Sequence, residues 1–171
     1  ELLNEGSVQV TMGHNLSKRK FGDCKLHVEF QLCHMPYARG QARSNSGVFI
    51  HQYEVQVLDS FGLKSQNNDC ASIYSIAAPA ENASLPPLRW QTYDIIYQGP
   101  RLKADGSLKK PAIMTVYHNG VLVHDKQVIP KPTATDQFSP DEEGPILLQD
   151  HLQPIRYRNI WLQPLDGPFE K

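Results

Sequence analysis

Nine consecutive residues constrain this chain more than any others. From Cys24 to Leu32 the sequence CKLHVEFQL alternates: Leu26, Val28, Phe30 and Leu32 fall on one parity, Lys25, His27, Glu29 and Gln31 on the other. Successive side chains on a strand point to opposite faces, so this run reads as a strand with one face in a core and one in water. The pattern recurs in SVQVTM, GVFIHQ, YEVQVLD, QTYDIIYQ, AIMTVYHNGVLVHDKQ, GPILLQDH and IRYRNIWLQPL, separated by pieces rich in Gly, Pro, Asn and Ser. Asn119-Gly120, set between two alternating runs, predicts a tight hairpin. No window of ten residues carries a 3.6-residue apolar period. Eight or more short strands, 13 prolines and no strand–helix rhythm predict an all-β fold, a jelly-roll β-sandwich of two antiparallel sheets. The 171 residues suit a single domain spanning 1–171.

Composition narrows the partners. The chain is 40% hydrophobic and 20% charged with a formal net charge of −1. Lys and Arg are scattered without a basic stripe, which argues against nucleic acid. No apolar run approaches the ~18 residues of a membrane-spanning helix, so no membrane insertion is expected. Cys24 and Cys33 end one predicted strand, which sets them about 30 Å apart at ~3.3 Å per residue, far beyond disulfide reach. With Cys70, they are expected to be three free, mostly buried thiols. No Cys/His spacing suggests zinc.

Polar residues on strand faces are the site candidates. In HQYEVQVLDS, Tyr53, Val55 and Val57 share one parity, and Glu54 and Gln56 share the other. Asp59 has core parity: either the strand ends near Val57, or a β-bulge turns Asp59 to the side of Glu54. In GPILLQDH, Gln149 and His151 share a parity, and histidine moves protons readily near neutral pH. Arg43 and Asn45 lie in a Gly-bounded loop leading into GVFI, a position where binding residues concentrate. Arg156, on the last strand, is placed either to hold a sugar hydroxyl or oxyanion or to pair with a carboxylate across strands. Both tryptophans, Trp90 and Trp161, read as core-facing.

Nine stretches in order then carry a resemblance: FGDCKLHVEFQL, NSGVFI, YEVQVLDS, CASIY, APAENASLPPLRWQTYDI, ARGQ, TVYHNGVLVHD, GPILLQDH and IRYRNIWLQPL. Together, over about Val8 to Leu165, they resemble the 3-keto-disaccharide hydrolase domain family, associated with 3-keto-glucoside lyase and hydratase chemistry. The resemblance implies a concanavalin- or laminarinase-like jelly roll with the site on a concave sheet. It implies a bacterial, periplasmic or secreted enzyme that cleaves an oxidised (3-keto) sugar. On that reading Glu54 and His151 are base and acid in either order. Arg43 or a divalent metal steadies an enolate, and Asn45, Gln56, Asp59, Tyr74, Gln149 and Arg156 hold the substrate. A metal, if used, would sit on Glu54, Asp59 and His151 as mixed N/O ligands.

The chain departs from the family pattern in three places. Leu152 stands where members commonly have Gly after QDH, which is expected to crowd the space near His151. Ala71-Ser72 replaces the Gly after Cys70. The N-terminal W…W strand is shortened, as expected if the chain either begins inside the domain or follows another segment. Two other readings stand beside the enzyme. Direct two-carboxylate glycoside hydrolysis needs Glu54 and Asp59 brought together. A non-catalytic glycan-binding module would use exposed aromatics such as Tyr37, Phe61 and Tyr74.

Overall fold

A computed structural model describes residues 5–133, 139 and 141–165. Its twelve strands are β1 (Val8–Val10), β2 (Asn15–Leu16), β3 (Cys24–Gln31), β4 (Ser46–Ile50), β5 (Tyr53–Val57), β6 (Trp90–Gln98), β7 (Arg101–Leu102), β8 (Leu108–Lys110), β9 (Ala112–His118), β10 (Val121–Ile129), β11 (Ile146–Leu148) and β12 (Ile155–Pro164). One short 3-10 turn, Gly40–Ala42, precedes β4. A six-stranded sheet runs β1-β12-β3-β6-β9-β10 and a four-stranded sheet runs β2-β11-β4-β5; β7 and β8 form a separate pair. All named pairings in both large sheets are antiparallel, which gives the β-sandwich expected from the alternation. Among the described residues no helix is long and apolar enough to cross a membrane.

Parity builds the core. Leu26, Val28 and Phe30 of β3 and Tyr93, Ile95 and Tyr97 of β6 point inward, against Val48 and Ile50 of β4 and Tyr53, Val55 and Val57 of β5. Asn119 and Gly120 take φ of 51° and 80° between β9 and β10, the paired left-handed conformation of a type I′ hairpin turn. All three cysteines are free, with Cys24 and Cys70 buried.

The tryptophans reverse the expectation. Arg158 pairs with Glu29, but Trp161, not Ile160, pairs with His27, so β12 carries one extra residue between them. Asn159, at φ 47°, lies in that bulge. One added residue turns every later side chain to the opposite face. Trp161 therefore faces out, 49% exposed, with its ring stacked on His27 at 5.1 Å, and Leu162 packs toward the core instead. Trp90 also lies on the outer face, under the Arg158 guanidinium at 4.0 Å. Trp90 opposes Gln31 in the register, and Gln31 belongs to the polar parity of β3.

Two tyrosines cross the sandwich from the large sheet to the small one. Tyr93 of β6 donates its hydroxyl to the Gln56 carbonyl at 2.6 Å and accepts from the Ala71 amide at 2.8 Å. Tyr157 of β12 meets the Ser46 hydroxyl at 2.6 Å, and Ser46 donates to the Gln149 carbonyl, also at 2.6 Å. With the Ser46 hydrogen spent on Gln149, Tyr157 is the donor to Ser46. His124, inside β10 and buried, adds a third tie through Nε2 to the Ala71 carbonyl at 2.9 Å.

Candidate functional site

Glu54 and Gln56 project from the outer side of the four-stranded sheet, as their parity requires, but that side is not wet. Both are buried, at 5% and 1% exposure. A strand pattern shows which side a residue faces, not which loops fold over that side. Here the 3-10 turn brings Gln41 over Gln56, with Gln56 Nε2 donating to Gln41 Oε1 at 2.9 Å. The segment Ala71–Tyr74 runs along the free edge of β5, giving Tyr74 N to the Glu54 carbonyl and taking Gln56 N on the Ser72 carbonyl. Thr133 Oγ1 accepts the Glu54 amide at 2.9 Å.

Beneath these loops lies a cleft of about 190 Å³, lined by Glu54, Gln56, Asn45, Tyr74, Gln149 and His151 together with Gln41, Phe49 and Thr133. That is below the ~300 Å³ lower end of drug-sized pockets. Six of the nine sequence candidates converge there: Glu54, His151, Asn45, Gln56, Tyr74 and Gln149. A larger groove, about 350 Å³, lies elsewhere among apolar residues including Phe21, Ile160 and Trp161. It has no titratable side chain in its lining and so offers nothing for acid–base chemistry.

The other three candidates are elsewhere. β5 pairs with β4 without interruption from Ser46↔Val57 to Ile50↔Tyr53. It ends at Val57, and no bulge turns Asp59 toward Glu54. Asp59 instead binds Arg43: Arg43 Nε and Nη2 donate to the Asp59 carbonyl at 3.0 and 2.7 Å, with the carboxylate 3.3 Å from Nε. The two satisfy each other and neither lines the cleft. Arg156 sits on β12 in the opposite sheet, 3.2 Å from Glu5, so the ion-pair alternative holds for it. The proposed metal set of Glu54, Asp59 and His151 fails for the same reason. Among the described residues no three His, Cys, Asp or Glu side chains gather in a way that could hold a metal ion. The residues present do not fit the group, and no step below runs through it.

Electrostatics single out Glu54. Burial alone pushes its carboxyl up to about 8, and none of the described residues donates to its oxygens. Without a partner, the ionised form has nothing to offset its lost hydration, so the proton stays on through neutral pH. The backbone beneath is shaped to admit it: Gly47 stands opposite Gln56 in β4, and a β-carbon there would overlap the Glu54 carboxylate and press the Phe49 ring at 2.9 Å. His151 is exposed, beyond the end of β11, on the same side as Gln149. Its loop is held by Asp150, whose carboxylate accepts from Gly13 N at 2.7 Å and Leu152 N at 2.8 Å.

Leu152 does not crowd the cleft. Its side chain is 90% exposed. What the Gly-to-Leu departure changes is the backbone: Leu152 sits at φ 62° and Ala71 at φ 64°, both in the left-handed region that favours glycine. Because the Leu152 side chain packs on nothing, Leu152→Gly is expected to stabilise the protein by about 0.5–1 kcal/mol, a rise of ~1–4 °C in Tm. A thermal melt that falls instead would mean the leucine makes contacts that matter.

Three lining residues escaped the sequence reading. Phe49 stands opposite Glu54 in the β4–β5 register, a signal that needed the strand pairing. Gln41 and Thr133 come from loops, where no periodicity points to a face.

Residues 2–163 match the family described as the 3-keto-alpha-glucoside-1,2-lyase-like domain. No curated protein matches. A solved structure from Parabacteroides distasonis ATCC 8503, described as a "putative glycosyl hydrolase", is 36% identical with a TM-score of 0.89, covering 95% of this chain and 73% of that one. Two more from the same organism, described in the same words, are 19% and 15% identical with TM-scores of 0.67 and 0.69. Each covers 95% of this chain, and 88% and 82% of their own. At those identities they share the fold.

Proposed function

Since the chain belongs to the 3-keto-alpha-glucoside-1,2-lyase-like domain family, and so has a carbohydrate-acting role, we propose that it cleaves the glycosidic bond of a 3-keto-glucoside by β-elimination followed by hydration. The observation that carries this reading is a single buried carboxyl that keeps its proton to about pH 8, placed in one small polar cleft with an exposed histidine.

The roles follow from the protonation states. A ketone at C3 acidifies the C2 hydrogen, because the carbanion left behind is delocalised onto the C3 oxygen as an enolate. His151, with an imidazole nitrogen open to solvent, takes that proton. The electron pair forms the C1–C2 double bond as the C1–O bond breaks, and the departing oxygen receives the Glu54 proton. Water then adds at C1 and a proton returns to C2, giving the free 3-keto sugar and the released alcohol. Glu54 is assigned the acid, because burial holds its carboxyl in the proton-bearing form at neutral pH, and His151 is left as the base. Arg43 is tied to Asp59 and leaves the enolate oxygen to other donors. The Gln149 side-chain amide and the Tyr74 hydroxyl line the cleft with no bond to another described residue, and these two are assigned to it.

Glu54 is the one carboxylate among the described residues lining the cleft, so the paired carboxylates of direct glycoside hydrolysis are lacking there. The exposed aromatics Tyr37 and Phe61 lie outside it, and Tyr74 is the one of the three candidate stacking platforms that lines it. The test is incubation with a 3-keto-glucoside and with its unoxidised parent, following aglycone release. Release from the oxidised compound alone, reduced about 10²–10⁴-fold in His151→Ala, supports the reading. Equal release from both compounds, or binding of the keto-sugar without turnover, defeats it.

A further inference from the structure

We propose that Gln41, on the 3-10 turn over the cleft, is a positioning residue that sets the polarity the cleft shows to its ligand: it holds the Asn45 and Gln56 amides so that one buried acceptor, Asn45 Oδ1, is left for a ligand hydroxyl. The ligand part rests on the reading of the site as a sugar cleft.

Gln41 Oε1 accepts from both neighbours, Asn45 Nδ2 at 3.0 Å and Gln56 Nε2 at 2.9 Å. Its own Nε2 donates to the Asn68 carbonyl at 2.7 Å, so the Gln41 amide cannot turn over without losing three bonds. Asn45 Nδ2 also donates to the Gln41 carbonyl at 2.8 Å, and the Asn45 backbone amide donates to Gln153 Oε1. The other end of Gln56 is used as well, Oε1 accepting from Val57 N at 3.2 Å. Both Asn45 Nδ2 hydrogens are spent, and Gln41 Nε2 and Gln56 Nε2 each spend one. Of the side-chain amide atoms of these three residues, the one left with no bond at all is Asn45 Oδ1, buried on a residue only 2% exposed that lines the cleft.

A buried oxygen without a donor is costly, and in native proteins such a group usually has a purpose. A ligand hydroxyl that donates there relieves the cost on binding. A ligand offering an acceptor, or a methylene, leaves the oxygen unpaired and binds worse. The amide pair thus selects for a hydroxyl at one ring position.

The test has two arms. In the ligand-free, ¹⁵N-labelled protein, Gln41→Met keeps the length of the side chain but removes the shared acceptor. The side-chain amide signals of Asn45 and Gln56 are expected to shift together, and Gln41→Glu, which keeps an acceptor, returns them toward wild type. Signals that stay put in Gln41→Met overturn the proposal whether or not any sugar is turned over. In the second arm, a 3-keto-glucoside and its monodeoxy analogues are assayed. Gln41→Met is expected to raise KM about 10–100-fold with kcat within about three-fold, the size of a lost or mispaired hydrogen bond. It should also erase the discrimination the wild type shows against one deoxy analogue. Unchanged KM and discrimination overturn the proposal. If the wild type turns over no keto-sugar while the amide signals move as expected, the proposed reaction fails and the positioning role stands.

Discussion

Replacing Glu54 by Gln is expected to lower kcat/KM on a 3-keto-glucoside by about 10²–10⁴-fold, the range of a lost general acid, while the protein remains folded. At neutral pH the native carboxyl already carries a proton, so the amide replaces one neutral group by another of nearly the same shape. The loss depends on the aglycone. An alkyl alcohol or second sugar needs a proton to depart, and p-nitrophenolate scarcely does, so the defect should shrink markedly with the aryl compound. An equal loss on both would take the acid role away from Glu54. The wild-type rate should also fall as pH rises through about 8, where the acid is ionised, and whatever activity Glu54→Gln retains should lack that limb.

The same carboxyl ties stability to pH, and the sign is definite. Its folded pKa of about 8 lies above the ordinary 4.5. Below 4.5 both states hold the proton and the stabilisation is complete. Between 4.5 and 8 the unfolded chain has released the proton and the native one has not, so stability falls with rising pH and levels off beyond 8. The decline amounts to a few kcal/mol over that window. Urea midpoints at pH 5 and pH 9 for wild type and Glu54→Gln measure it: the wild type should lose a few kcal/mol more than the variant. Parallel declines would show that other groups carry the dependence.

Gly47→Ala is the second large effect. Its β-carbon would fall on the Glu54 carboxylate and against the Phe49 ring, inside a strand whose five residues are all buried. The Glu54 carboxyl has flexible χ angles and must move; a catalytic group displaced by about 1 Å costs on the order of 10²-fold in rate. Overpacking of this kind destabilises by about 1–3 kcal/mol. Both should appear together, as a drop in kcat/KM of about 100-fold and a lowered urea midpoint. A variant that melts earlier but works at the wild-type rate would show that Glu54 has room to step aside and still function.

Much of the sandwich was legible because alternation is a local property. Eight residues of the nine-residue run became β3 with the faces as read, and Asn119-Gly120 became a type I′ turn. Glu54 and Gln56 were placed on the correct side by parity alone, as were Gln149 and His151. Two kinds of information were missing. Register can change by one residue without a mark in the sequence. The extra residue at Asn159 turned Trp161 outward, whereas the expected bulge after Val57 did not form and left Asp59 to Arg43. Coverage is non-local too: Gln41 and Thr133 reach β5 from positions with no pattern of their own, and with the segment Ala71–Tyr74 they cover what parity alone reads as a wet face.

The crossing tyrosines limit how far this domain could be reduced. The strand that carries Gln56 and the loop that carries Ala71 are fastened to β6 by one phenol, and Ser46 and Gln149 to β12 by another. None of the four anchored groups belongs to the sheet that supplies the anchor. A fragment cut from the four-stranded half would keep most of the cleft's lining residues and lose the pins that hold its floor in place, so the complete two-sheet body is expected to be the smallest unit that keeps the cleft.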